Sequence, residues 1–312
     1  MTTSVLVTGA AGYLGSVLIP ALLERGCKVI ALDTFERGDT ALAHVAADPN
    51  FEPIRGDARD ENLLGALLPK VDLIIPLAAL VGAPLCKQDP IAAKTINLEA
   101  ILSILKLRSN DQRIIYPTTN SGYGIGQKGV FCTEETPLNP ISLYGTTKVD
   151  AERAILDSGN GVTLRLATVF GMAPRMRIDL LVNDFTYRAV TDGAVVIFEG
   201  DAKRNYIHVR DVAKAFIHAL DNYEMMNGEP YNVGLSSANL SKLELCAKIH
   251  EYVPRFVWLQ APIGEDPDKR DYIVSNEKIE NTGWFPDHTI DMGIQELIRG
   301  YRMIRNGRFS NV

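Results

Sequence analysis

The 312 residues are 46% hydrophobic with a net charge of −6 and a pI near 5.5, enough to build one large domain or two coupled ones. No Lys/Arg-rich run is present, which argues against nucleic acid and anionic membrane surfaces as partners. No uncharged apolar stretch is long enough to span a bilayer, and the start of the chain lacks a signal-peptide pattern.

In chain order, residues 4–8 read as a strand and 12–24 as a helix. Further strands are predicted at 28–33, 51–54, 71–77 and 113–117, with helical stretches between them. Near-continuous apolar strands alternating with helices predict a parallel sheet covered on both faces, a doubly wound α/β fold of Rossmann type. Residues 161–169 add one more strand and 231–234 another. After Gly171 the alternation weakens. The expected division is a dinucleotide-binding domain over 1–171 with a return segment at about 204–235, and a smaller mixed α/β lobe from 172–203 and 236–312. Cys27, Cys86, Cys132 and Cys246 are scattered without a C-x-x-C pair, as expected of reduced thiols in a cytoplasmic protein. His208, His218 and His250 are equally dispersed, so no metal site is expected.

Thr8-Gly9-Ala10-Ala11-Gly12-Tyr13-Leu14-Gly15 lies between the first strand and the first helix. Its glycines suit a tight turn, a close approach of backbone to a pyrophosphate, and close packing of helix on strand. The helix N-terminus then offers N–H groups to the phosphates. A glycine triplet alone is a weak signal, and Asp33 at the end of the second strand strengthens it. A carboxylate there accepts from the adenosine ribose hydroxyls and repels a 2′-phosphate, so NAD is expected over NADP. Asp57 and Ala58 end the third strand, beside the expected adenine. Leu77, Ala78 and Ala79 end the fourth, where small side chains leave room for the nicotinamide half.

Tyr144 and Lys148 stand at i and i+4 of a predicted helix and therefore share a face. An ammonium beside a phenol favours the tyrosinate, which predicts a lowered pKa and a proton acceptor near neutral pH. Y-x-x-x-K is by itself most often a solvated helix face. Thr119, in the loop after the strand 113–117, supplies a hydroxyl for the same site.

In this order and spacing, the glycine triplet, Asp33, Asp57, Leu77-Ala78-Ala79, Thr119, Tyr123-Gly124 and Tyr144/Lys148 resemble the extended short-chain dehydrogenase/reductases, specifically the NAD-dependent nucleotide-sugar epimerase/dehydratase family. The resemblance continues through Arg204-Asn205-Tyr206-Ile207-His208-Val209-Arg210-Asp211 and to Arg270, so it covers nearly the whole chain. It implies a Rossmann domain with a nucleotide-sugar lobe, Tyr144 as base toward a sugar hydroxyl, Lys148 at the nicotinamide ribose, and Thr119 orienting the hydroxyl. It also implies Arg204 and Arg270 at the diphosphate, with Arg175, Asn183, Asn120 and Ser121 at the substrate. A homodimer or homotetramer built on the helices after Asn97 and Tyr144 is implied as well.

Dehydratases of the family carry Asp-Glu directly after the catalytic Thr, and decarboxylases a glutamate at the second of these positions. Here Asn120 and Ser121 occupy them, and neither performs that acid/base work. Oxidation at carbon 4 and 4-epimerisation remain. Ile75 to Cys86, Thr119 to Gly126, Pro174 to Phe185 and Gly264 to Tyr272 are similar to one branch, the bacterial GDP-manno-heptose 4-dehydrogenases of capsule heptose synthesis. The expected substrate is therefore a nucleotide-sugar, with a GDP-sugar favoured. A non-catalytic dinucleotide sensor is the competing class, and retention of Tyr144, Lys148 and Thr119 argues against it.

Overall fold

The computed structural model describes residues 2–36, 40–261 and 270–304. The first half runs β1 (Ser4–Thr8), α1 (Gly15–Glu24), β2 (Lys28–Asp33), β3 (Phe51–Arg55), α2 (Glu61–Leu67), β4 (Leu73–Pro76), α3 (Ala83–Gln88), α4 (Pro90–Lys94), a π turn (Thr95–Glu99), α5 (Ala100–Leu107) and β5 (Arg113–Thr119). There follow β6 (Phe131–Cys132), α6 (Leu143–Asp157), β7 (Gly161–Leu166), β8 (Thr168–Phe170), α7 (Leu181–Thr191), β9 (Ala194–Ile197), β10 (Lys203–His208), α8 (Val209–Asp221), α9 (Tyr223–Met226) and β11 (Pro230–Val233). The chain closes with β12 (Asn239–Ser241), α10 (Lys242–Tyr252), β13 (Val257–Gln260), β14 (Ile273–Val274), α11 (Glu277–Glu280) and α12 (Ile290–Tyr301).

Seven parallel strands form the main sheet in the order β11-β7-β5-β4-β1-β2-β3. Its residues alternate between two cores. Val5, Val7, Val29, Ala31, Ile75 and Ile115 point into one. Leu6, Ile30, Leu32, Ile74 and Ile114 point into the other, beneath α2, α5 and α6. Both faces are thus dry, which is why the strands read as unbroken apolar runs rather than as alternating ones. This is the expected doubly wound fold.

Two elements differ from the sequence reading. Residues 161–169 are two strands: β7 pairs with β5 and β11 in the main sheet, while β8 leaves at Ala167 to pair with β10. A continuous apolar run carries no information about which partner each half takes. The strand from Arg113 extends to Thr119, so this threonine ends the strand itself rather than lying in the following loop.

The stretch that resembles the family around His208 is explained partly by packing. His208 is wholly buried, and its Nδ1 accepts from the Arg210 N–H at 3.2 Å, capping α8. Nε2 therefore carries the proton and donates to Glu296 of α12 at 3.0 Å. Arg210 adds bonds of 2.8 and 2.9 Å to the same carboxylate. Burial opposes ionisation of Glu296, but the His208 and Arg210 hydrogen bonds outweigh it and bring its pKa down to about 2. Asp211 holds the approach to α12 by accepting from the N–H groups of Asp287 and His288, each at 3.0 Å. A carboxylate with a depressed pKa contributes stability above its ordinary range, and that contribution disappears as pH falls toward the folded value. Glu296→Gln is expected to lower stability by roughly 2 kcal/mol at pH 7. The gap to the parent should close between about pH 5 and pH 2, as measured by denaturant unfolding across that range.

Candidate active site

The order of the main sheet reverses between β1 and β4: the chain builds outward through β2 and β3 on one side, then through β5, β7 and β11 on the other. A crevice opens at the carboxyl ends of the strands at such a reversal, and here it is a cleft of about 710 Å³. Gly9 turns at its floor with φ of +68°, and a Cβ there would stand 2.5 Å from the Ala78 nitrogen. A side chain at 9 would therefore close the crevice as well as strain the turn. Gly12, Tyr13, Leu14 and Gly15 line the same wall, and α1 begins at Gly15, so its N-terminus stands at the cleft.

Asp33 stands at the rim, and its position is fixed from both sides. Its carboxylate accepts from the Ala11 N–H at 2.9 Å and the Phe35 N–H at 2.8 Å. That places a negative charge beside the glycine turn, as a ribose diol requires and a 2′-phosphate does not tolerate. Asp57 and Ala58 lie next along the rim, with Asp57 gripped by Arg59 at 2.6 Å. Leu77, Ala78 and Ala79 line the far half. The stretch they start is held by Asn97 of the π turn, whose side chain accepts from the Leu80 N–H at 2.8 Å and donates to its carbonyl at 3.0 Å. The cradle, the fixed acid and the small-residue wall together fit an NAD molecule.

Ser142 starts α6 by accepting from the Gly145 N–H at 3.1 Å, which sets Tyr144 and Lys148 in the first two turns. The helix is anchored below them. Glu152 pairs with Arg165 of β7 at 2.6 Å with both side chains almost fully buried. Arg165 also donates to the Tyr123 hydroxyl at 3.1 Å, tying the segment after Thr119 to the same point. Thr119, Tyr144 and Lys148 converge on the cleft.

The electrostatics correct the expectation for this pair. Burial dominates at Tyr144 and pushes the phenol up to about 12, against the pull of Arg177, Arg270 and the neighbouring Thr119 hydroxyl. Lys148 is pushed down to about 7 by burial, with Glu152 opposing. Its ammonium lies 3.9 Å from the centre of the Tyr116 ring. Taking both groups out of water penalises both charged forms, and neither group is among those that shift the other. The cations that favour the tyrosinate are arginines from distant parts of the chain.

Arg175, Arg204 and Arg270 also line the cleft. Arg177 and Asp179, paired at 2.5 Å, line it too, as does Asp184. Arg177 and Asp179 follow the predicted Arg175 at alternate positions of Pro174-Arg175-Met176-Arg177-Ile178-Asp179, a spacing that places all three on one side of an extended segment. Three expected substrate contacts do not line the cleft. Asn183 is wholly buried and spends its amide on structure, accepting from Gly171 N–H at 3.0 Å and donating to the Arg177 carbonyl at 2.8 Å. Asn120 and Ser121 turn inward behind Thr119, 1% and 4% exposed. Gly264 to Lys269 of the C-terminal stretch lie outside the described residues.

A glycine-cradled dinucleotide crevice with a Thr/Tyr/Lys set at its inner end defines an enzyme of the extended short-chain dehydrogenase/reductase type. Residues 5–234 match the NAD dependent epimerase/dehydratase family, and the chain belongs to that family. It is 29% identical to a UDP-glucose 4-epimerase of Lactobacillus helveticus, over 91% of this chain and 92% of that one. It is 27% identical to UDP-glucuronic acid decarboxylase 1 of Arabidopsis thaliana, over 96% of this chain and 69% of that one. Among solved structures, Pal of Bacillus thuringiensis shares the fold with a TM-score of 0.86 at 21% identity, over 97% of this chain and all of that one.

Because the unfolded chain keeps the Lys148 proton and the folded chain releases it, stability rises with pH between about 7 and the ordinary lysine range. Lys148→Met is therefore expected to leave the melting temperature at pH 7 equal to or above that of the parent while removing activity. Calorimetry beside a turnover assay checks both.

Proposed function

We propose that the protein oxidises a nucleotide-sugar at carbon 4, with GDP-D-glycero-α-D-manno-heptose as substrate and its 4-keto sugar as product, in the cytoplasm and for surface polysaccharide synthesis. The convergence of Thr119, Tyr144 and Lys148 at the inner end of the cleft carries this reading, together with Asn120 and Ser121 where dehydratases place an acid/base pair. NAD, when bound, accepts the hydride. Tyr144 takes the proton of the sugar hydroxyl, Thr119 orients that hydroxyl, and Lys148 holds the nicotinamide ribose. Arg175, Arg204 and Arg270 face the diphosphate, a group that a guanidinium fork suits. The heptose and the guanine rest on the sequence resemblance. We further read residues 1–171 with about 204–235 as the cofactor domain and the remainder as the substrate lobe. Helices α5 and α6, where Leu102 and Leu143 are 44% and 38% exposed, would pair in a homodimer or homotetramer.

A second reading is 4-epimerisation, in which the hydride returns to the opposite face of the same sugar. The similarity to a UDP-glucose 4-epimerase over nearly the full length favours it. A panel of GDP- and UDP-sugars, followed by nicotinamide absorbance and product NMR, separates the two. Net NADH with a 4-keto product is expected, whereas a sugar stereoisomer without NADH would establish the epimerase. Net oxidation leaves NADH behind, so turnover also requires cofactor exchange or a second oxidant. Repeated turnovers on free NAD alone would identify exchange.

Tyr144→Phe is expected to lower kcat by about 10²–10⁴-fold, the usual contribution of a positioned base, with NAD affinity nearly unchanged. Since the ionised phenol is the active form and burial holds its pKa at about 12, kcat/KM should rise with pH through the neutral range in the parent enzyme. A flat profile would exclude Tyr144 as the base.

A further inference from the structure

The connection from β8 to α7 carries Arg175 to the cleft, and side chains of the glycine turn hold it there. Tyr13 lies within that turn. Its hydroxyl donates to the Gly171 carbonyl at 2.6 Å and accepts from the Asn183 side chain at 3.3 Å. Ser16, wholly buried in the first turn of α1, donates to the Tyr13 carbonyl at 3.0 Å. The same Ser16 oxygen accepts from the Arg175 N–H at 3.3 Å. Asn183 grips the connection on either side of Arg175, accepting from the Gly171 N–H at 3.0 Å and donating to the Arg177 carbonyl at 2.8 Å. Arg175 therefore has its own N–H anchored to α1 and a fixed point both before and after it.

The donor inventory assigns each proton of this cluster one use. The Ser16 hydroxyl has a single proton, given to Tyr13, so the Arg175 N–H reaches its lone pairs. The Tyr13 proton goes to Gly171, which leaves the phenol oxygen to accept from Asn183. The two amide protons of Asn183 are divided between Tyr13 and the Arg177 carbonyl. Deleting the Ser16 hydroxyl removes the acceptor of the Arg175 N–H, and deleting the Tyr13 hydroxyl removes the donor to Gly171. Both changes fall on buried groups, where a lost partner is costly. A guanidinium carried on a backbone already in place loses less freedom when an anion binds, and the saving shows as affinity.

We propose that Ser16 and Tyr13 are positioning residues for Arg175, and through it for the diphosphate of the substrate. One stretch then serves both ligands. Its glycines admit the dinucleotide, while two of its hydroxyl side chains set an arginine that meets the nucleotide-sugar. This rests on the reading of Arg175 as a diphosphate ligand.

The test is a cycle of variants on the NAD-loaded protein, with GDP and then UDP titrated by calorimetry. Arg175→Gln is expected to weaken nucleotide binding about tenfold or more, as loss of a charged hydrogen-bond donor does. Ser16→Ala and Tyr13→Phe should each weaken it about fivefold. In the Arg175→Gln background, adding either change should cost less than about twofold, because the side chain being positioned is already gone. Tyr13→Phe removes a single oxygen and carries the cycle alone if Ser16→Ala does not fold. Unchanged binding in both hydroxyl variants beside a weakened Arg175→Gln would overturn the positioning alone. So would losses that persist in full without Arg175, the pattern of a general loosening, which would accompany a lower melting temperature. An Arg175→Gln variant that binds both nucleotides as the parent does would overturn the diphosphate assignment, and the positioning with it.

Discussion

Gly9 and Ala78 meet backbone to backbone where β1 and β4 end, and the working geometry descends from that contact. The two strands are neighbours in the sheet, but the connections leaving them run to opposite sides, so neither connection covers the gap between their carboxyl ends. A Cβ at Gly9 would occupy it. With the gap open, the first turn of α1, the Asp33 carboxylate and the Leu77-Ala78-Ala79 wall all face one space, and β5 delivers Thr119 to its inner end.

Keeping that inner end dry has an electrostatic consequence. Tyr144 and Lys148 are both deprived of water, so each favours its neutral form. A neutral phenol beside a partly neutral amine makes a poor base, and the site compensates with fixed positive charge from elsewhere. Arg177 comes from the segment ahead of α7, and Arg270 from the segment ahead of β14. Low dielectric strengthens their influence as much as it penalises the ionisation they support.

The scaffold beneath this set is correspondingly rigid. Glu152 and Arg165 neutralise each other in the core, and Arg165 extends to Tyr123, so α6, β7 and the segment after Thr119 share one anchor. The Tyr123 hydroxyl continues to Asn232 of β11 at 2.7 Å, and the Asn232 side chain donates to the Ser275 carbonyl at 3.0 Å. A buried network of this kind is costly if any member is lost, which makes it a precise spacer between the catalytic helix and the C-terminal segments.

By itself the sequence determined the parallel sheet, the glycine turn with Asp33, and the local pairing of Tyr144 with Lys148. Each is encoded by neighbours in the chain: apolar runs, glycines before a helix, an i, i+4 spacing. What only the tertiary structure decided is how those groups behave. Asn183 and Ser121 carry side chains suited to a substrate, yet their partners (Gly171 and Arg177, Thr119 and Arg270) turn them away from it. The division of 161–169 between two sheets depended on β10 and β11, far along the chain. The pKa of Tyr144 is set by burial and by two distant arginines rather than by the lysine one turn away. Local spacing specifies which side chains share a face, whereas desolvation and long-range charge depend on everything packed around that face, and only the completed fold specifies the packing.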